Sequence, residues 1–178
     1  MMSRLRTANL LAALAGDIIE RAGATLLRHP NQTDSFAAAL NVIGFWDGIT
    51  NAELARVLKL SHTATVRLVD KLEGRGLVES RSGTDKRATH FHLTDAGKAE
   101  VEPLLVDRCV AVNGYLDVLS ESEQTQLNGL LEKLMRPLAV DGFTVSHFCR
   151  LCDDKICPGT NCPMHKELLA KAGPKAKA

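Results

Sequence analysis

The stretch from Ala52 to Gly97 constrains this chain more than any other, because its apolar period switches from helical to alternating and back, with turn residues at each switch. Ala52-Glu53-Leu54-Ala55-Arg56-Val57-Leu58 reads as a short helix, capped by Thr50 or Asn51, with Leu54, Ala55 and Leu58 on its apolar side. Lys59-Leu60-Ser61 is a tight turn, and Ser61 is the N-cap of a second helix. Spacing by four predicts that Ala64, Leu68 and Leu72, joined by Val69, face inward, which leaves His62, Thr63, Thr65, Arg67 and Lys71 outward. Gly76 suits the left-handed backbone of a helix end. Leu77–Arg81 and Thr89–Leu93 then alternate as strands around a polar tip from Ser82 to Ala88.

Polar side chains crowd the first turn of the helix that begins at Ser61. A helix that enters a major groove needs that arrangement, since its N-terminal residues reach base edges while hydroxyls and free N–H groups meet phosphates. A basic tip on the following hairpin suits a minor groove, where negative potential concentrates. Arg87 is the candidate for that contact, with Asp85 holding its guanidinium in a charge-assisted pair. Arg81 and Lys86 add charge along the same ribbon. Each piece also has a plain reading, as a solvated helix face or an ordinary β-turn. The whole chain carries a net charge of only +1, so attraction to nucleic acid has to come from a local patch.

Taken together, Glu53-Leu54-Ala55, Leu60-Ser61, Val69-Asp70-Lys71-Leu72-Glu73, Arg75-Gly76-Leu77-Val78, Asp85-Lys86-Arg87-Ala88 and Leu93-Thr94-Asp95-Ala96-Gly97 resemble successive landmarks of the MarR family of winged helix-turn-helix regulators. The resemblance is close over residues 52–97 and one of pattern in the flanking helices. It implies a mainly α fold with a small β-wing, and an obligate homodimer whose base is built from the N-terminal helix and the last two helices. It further implies control of transcription at duplex DNA, often relieved by a small ligand or an oxidant.

Outside that lobe the sequence is mostly helical. Residues 5–27 form an amphipathic helix whose apolar stripe needs a partner, and His29-Pro30-Asn31 ends it. A buried helix is expected from Ser35 to Trp46, capped by Asp34 or Ser35, with Trp46 in the core and a short strand at Ile49-Thr50. Thr94 caps a long helix reaching about Leu119, in which Pro103 is a point of bending. Ser120-Glu121-Ser122-Glu123 is a capping box for a helix with a broad leucine stripe, ended by Pro137.

After Asp141-Gly142 the composition changes. Cys149, Cys152, Cys157 and Cys162 follow a Cys-x2-Cys-x4-Cys-x4-Cys spacing in a segment too short for its own apolar core. The pattern suits structural zinc held by four thiolates, and it leaves open redox thiols, a disulfide pair or an iron–sulfur cluster. His147 and His165 are expected at the surface, and Cys109 as a small buried hydrophobe. Residues 166–178 read as a helical turn followed by a disordered basic tail.

The organisation expected is therefore residues 1–140 as a winged domain, with a lobe at 34–97 and dimerisation helices at 5–28 and 98–139. A cysteine-rich segment at 141–165 and the tail follow. The basic, then apolar N-terminus reads as a helix rather than a secretory leader, because its helical spacing continues past Ala15. No apolar run reaches the ~18–20 residues of a membrane span, and a cytoplasmic setting favours thiols or metal ligands over disulfides. No phosphate loop, nucleophile elbow or paired-acid constellation is present, so an enzyme is not expected. The leading expectation is a homodimeric repressor on a pseudo-palindromic operator. The alternative is a metal- or thiol-responsive sensor working through the four cysteines.

Overall fold

A computed structural model of the chain describes residues 2–26, 33–82 and 89–172. Helix α1 (Met2–Leu26) is followed by α2 (Asp34–Phe45), β1 (Ile49–Thr50), α3 (Asn51–Leu58), α4 (His62–Glu73), β2 (Val78–Ser82) and β3 (Thr89–Leu93). The chain continues through α5 (Asp95–Asn113), α6 (Glu121–Met135), α7 (Gly142–Cys149) and α8 (Pro163–Ala172). The fold is mainly helical with a small antiparallel sheet, a winged helix-turn-helix.

Local chemistry sets most boundaries. Thr50 and Ser120 each close a reciprocal capping box, with Glu53 and Glu123 respectively. Thr94 caps α5 through the amide of Gly97 at 3.1 Å. The cap of α2 is Thr33, whose hydroxyl accepts from Phe36 N at 3.3 Å, so Asp34 falls in the first turn, where a carboxylate favours the helix dipole. Helix α5 passes through Pro103 but stops at Asn113, short of Leu119. Gly114 gives the helix a cheap exit, and Gln124 Nε2 donates to the carbonyls of Leu116 and Leu119 and holds the turns that follow. Helix α8 runs to Ala172, beyond the single turn expected after Lys166. The rest of the tail, 173–178, lies outside the described residues.

The sheet runs in the order β1-β3-β2, with Ile49 opposite Phe91, and Ser80 opposite Phe91 from the other side. Its covered face meets the helices in one core that joins Phe36, Leu40 and Ile43 of α2 with Leu54 and Val57 of α3, Val69 and Leu72 of α4, and Val101 and Leu105 of α5. Trp46 is only partly buried at the edge of this core, against Phe143 at 5.5 Å between ring centroids.

Geometry demands glycine where the wing meets α5. Gly76 has φ of 68°, and its carbonyl accepts from Thr94 Oγ1 at 2.7 Å. At Gly97 a Cβ would sit 2.1 Å from the Leu77 carbonyl oxygen and 2.7 Å from the Leu93 side chain. The same carbonyl accepts from Thr94 N at 3.1 Å, so the wing and α5 meet without room for a methyl group.

Helices α1 and α6 retain apolar surface. Leu5, Leu10, Leu11, Leu14 and Ile19 of α1 are exposed, as are Leu130, Leu131 and Leu134 of α6. No helix among the described residues is long and apolar enough to cross a membrane.

Candidate nucleic-acid interface

Helix α4 is presented by the turn before it. Lys59 takes the left-handed conformation at φ 55°, ending α3, and Ser61 then opens α4 with its Oγ accepting from Ala64 N at 3.2 Å. His62, Thr63 and Arg67 stand exposed along the first turns, and Lys71 is exposed further along. The Lys71 ammonium lies 5.6 Å from the centroid of the Phe36 ring.

The inward face of the helix is the one expected except in its first turn, where Thr65 takes the place of Ala64. Thr65 is 0% exposed and Ala64 is exposed, so the inward stripe is Thr65, Leu68, Val69 and Leu72. Thr65 is thereby removed from the groove-facing set. Its burial is affordable because Oγ1 donates to the Ser61 carbonyl at 3.1 Å, which satisfies the hydroxyl inside the helix and leaves the γ-methyl to pack as an apolar group. Ala64 and Val66 take the vacated outer positions, with Val66 37% exposed. Their apolar surface is of the kind that meets a thymine methyl group. The spacing Thr65, Val69, Leu72, with Thr counted as apolar, was the available signal.

Along the ribbon, Arg81 is exposed and ion-paired with Glu79. Asp85, Lys86 and Arg87 lie outside the described residues. Arg75 and Arg56 serve the fold instead. Arg75 pairs with Glu100 at 2.8 Å and lies 4.9 Å from the Phe36 ring centroid, whereas Arg56 lies 3.7 Å from that of Phe143 and 3.5 Å from Asp141.

The cysteine-rich segment does not stand apart from this lobe. Helix α7 packs on α3, and a second apolar cluster joins Ala139, Val145, Cys162 and Met164, with Met135 and Leu168 against it. The segment thus has no core of its own and shares one with the end of α6 and with α8. Cys149, Cys152, Cys157 and Cys162 line one cavity of about 390 Å³, together with Phe45, Trp46 and His165. The Sγ atoms of Cys149 and Cys162 are 4.0 Å apart. Cys149 is pushed up by its hydrogen bond to Cys152 and by burial, whereas that same bond, with the charges of Arg108 and Arg150, brings Cys152 down to about 7. Among the described residues, no three His, Cys, Asp or Glu side chains are yet gathered tightly enough to hold an ion. Neither histidine of the segment is fully exposed, since His147 is bonded to α3 and His165 lines the cavity. Cys109 lies apart, half-buried in α5, its thiol pushed up mainly by burial.

Residues 33–88 match the profile of the MarR family. Over these residues the winged lobe is similar to the MarR family. Over 91 residues the chain is 33% identical to the transcriptional repressor MprA of Escherichia coli K12, which is 51% of this chain and 52% of that protein. The alignment therefore spans about half the length of MprA. An uncharacterized HTH-type transcriptional regulator of Bacillus subtilis, YwhA, is 26% identical over 112 residues, 62% of this chain and 79% of its own. Among solved structures, a MarR family protein from Bacillus stearothermophilus superposes with a TM-score of 0.67 at 24% identity, covering 76% of this chain and 94% of that one. MepR, a transcription regulator of the Staphylococcus aureus multidrug efflux pump MepA, gives 0.62 at 21% identity, covering 74% and 97%. These likenesses establish the fold of the MarR-type lobe and the helices around it, while the four cysteines fall outside the matched residues 33–88.

Proposed function

We propose that this chain is a sequence-specific regulator of transcription that binds duplex DNA as a homodimer, each subunit laying α4 in a major groove of a pseudo-palindromic operator. The observation that carries this reading is the asymmetry of α4. One face is locked into the lobe by Thr65, Val69 and Leu72, and the other offers His62, Thr63 and Arg67 at a capped N-terminus. The exposed leucines of α1 and α6 support pairing of two copies, which would set two half-sites about one helical turn apart on one side of the duplex. Arg87 is the minor-groove probe, assigned from sequence together with Asp85, Lys86 and Arg81 as its companions in DNA contact. Repression is the sign of control proposed, on the strength of the likeness to MprA, itself a repressor.

Fluorescence anisotropy with the chain's own upstream DNA, repeated across a salt series, tests this. Binding at two subunits per site is expected, and Arg87→Ala should weaken it while reducing the salt slope by about one. Equal affinity for the upstream fragment and for scrambled duplex would sink the reading. A second reading, in which the protein senses a metal or an oxidant, is favoured by one observation, the convergence of four thiols on a cavity beside the lobe.

A further inference from the structure

The knuckle that carries Cys149 and Cys152 is held from outside. Asn41 Nδ2 on α2 donates to the carbonyls of Arg150 at 3.1 Å and Cys152 at 2.9 Å, and Arg108 Nη1 on α5 donates to the carbonyl between them, that of Leu151, at 3.1 Å. Three consecutive carbonyls are thereby satisfied by the lobe and its neighbouring helix. The Cys152 amide donates back to the Cys149 carbonyl at 2.8 Å, which folds the knuckle so that both thiols turn to the same cavity. On the opposite wall, the turn in which Cys162 N donates to Pro158 O at 3.0 Å brings Cys162 to within 4.0 Å of Cys149, sulfur to sulfur. With zinc–sulfur bonds of about 2.3 Å, the edge of a tetrahedral tetrathiolate is about 3.8 Å. One edge of such a site is nearly formed, and closing it requires Cys152 and Cys157, which line the same cavity, to draw toward that edge.

We propose that Cys149, Cys152, Cys157 and Cys162 bind one Zn2+ as a closed tetrathiolate site that staples residues 141–165 to the first helix of the helix-turn-helix. Binding takes all four sulfurs as thiolates, releases to solvent the protons they still carry and leaves a doubly negative centre, with no electron transferred. The cationic side chains of Arg108 and Arg150, at the carbonyl and sequence positions beside Cys152, offset that charge. The mechanical consequence follows from what the segment touches. Helix α7 reaches α3 through His147 and through Asp141 and Phe143 on Arg56, so fixing the knuckle fixes the support on which α3 rests. A four-sulfur site has no open coordination position, which makes it a staple rather than a catalyst. The zinc centre stands independently of the DNA reading, since neither its ligands nor its test involves nucleic acid.

The full chain, purified without a metal-binding tag, tests this by elemental analysis, cobalt substitution and hydrogen exchange. About one zinc per chain is expected, and Co2+ in its place should give the visible and sulfur-to-metal absorption of a tetrahedral tetrathiolate. Cys157→Ser, at the exposed position, should keep the helical circular dichroism while losing most of the zinc, whereas Cys109→Ser should keep both. Chelation should speed amide exchange in 142–149 and 51–58 at least several-fold relative to β2 and β3. Protein that is folded yet metal-free with four reactive thiols overturns the proposal, as does iron with acid-labile sulfide. Full zinc retention in both Cys157→Ser and Cys152→Ser overturns it too.

Discussion

His147 Nδ1 lies 2.7 Å from the carbonyl oxygen of Val57, so a residue of the cysteine segment caps the last turn of α3. The last carbonyls of a helix have no partner within it, and this bond supplies one from 90 residues away in sequence. Burial, reinforced by the charges of Arg150 and Lys59 against the opposing pull of the Val57 carbonyl, pushes the imidazole below its ordinary value. The neutral ring with Nδ1 protonated is the donor that this geometry needs.

Replacing His147 with alanine removes the bond and uncovers the Val57 carbonyl. A loss of about 1 kcal/mol in urea unfolding is expected, with faster exchange of the α3 amides. His147→Asn should recover part of it, because a side-chain amide also donates. Equal exchange in α3 for wild type and His147→Ala would show that the segment does not support the helix.

Neighbouring threonines on α4 should separate stability from recognition. Thr65→Ala loses the bond to Ser61 and a buried methyl group, so it should cost about 1–2 kcal/mol and lower Tm by several degrees, leaving base preference intact. Thr63→Ala should leave Tm unchanged and alter preference among operator variants. The opposite assignment of effects would return Thr65 to the outer face that simple spacing by four predicts.

At Gly97 even a methyl group is too much. With 2.1 Å between a built Cβ and the Leu77 carbonyl oxygen, Gly97→Ala has to force α5 away from the wing, breaking the Thr94–Leu77 bond. A loss above about 3 kcal/mol, or insoluble protein, is expected. A variant as stable as wild type in thermal unfolding would mean that α5 and β2 lie further apart than described.

Acid should loosen the start of α3. Glu53 accepts from the Thr50 hydroxyl and from its amide, and these two bonds, in that order, hold its carboxyl below the ordinary value of 4.5. The unfolded chain then takes up this proton more readily than the folded one, so the contribution is present above pH ~4.5 and lost as pH falls through the folded value. Glu53→Gln should flatten that part of the stability–pH curve, and an unchanged acid limb would rule out the box as its source.

The lobe was legible because its signals are local. Ser61, Gly76, Thr94 and, beyond the lobe, Ser120 with Glu123 each declare an end or a cap within a few residues, and the structure places each in that role, while of Thr50 and Asn51, either of which could cap α3, it selects Thr50 and adds the bond from Glu53. The burial of Thr65 in place of Ala64 was not legible by polarity alone, since a threonine bonded to its own helix packs as an apolar residue. Nor was the seat of the cysteine segment. Asn41 meets Arg150 and Cys152 across 109 and 111 residues, and no period or spacing encodes such a pair. The four cysteines were visible as a set, and what the fold adds is the pair of helices, α2 and α5, that hold their knuckle.

The leucines left on the surface supply a last expectation. On α6, Leu130 and Leu134 are one turn apart and each 59% exposed, and α1 carries exposed Leu10, Leu11 and Leu14. Burying a fully exposed leucine contributes about 1.5–3 kcal/mol, and about three-fifths of that remains to be gained at each of these positions, so a seam that covers Leu130 and Leu134 draws roughly 2–3.5 kcal/mol from the pair in each subunit. The double substitution Leu130→Glu with Leu134→Glu replaces that gain with two buried carboxylates. The dissociation constant of the proposed dimer should rise by more than about a hundredfold, giving monomer in light scattering at micromolar concentration. Since neither residue belongs to the lobe core, the helical circular dichroism should persist, and DNA binding should fall because one subunit grips only one half-site. A double variant that remains dimeric would move the seam away from α6.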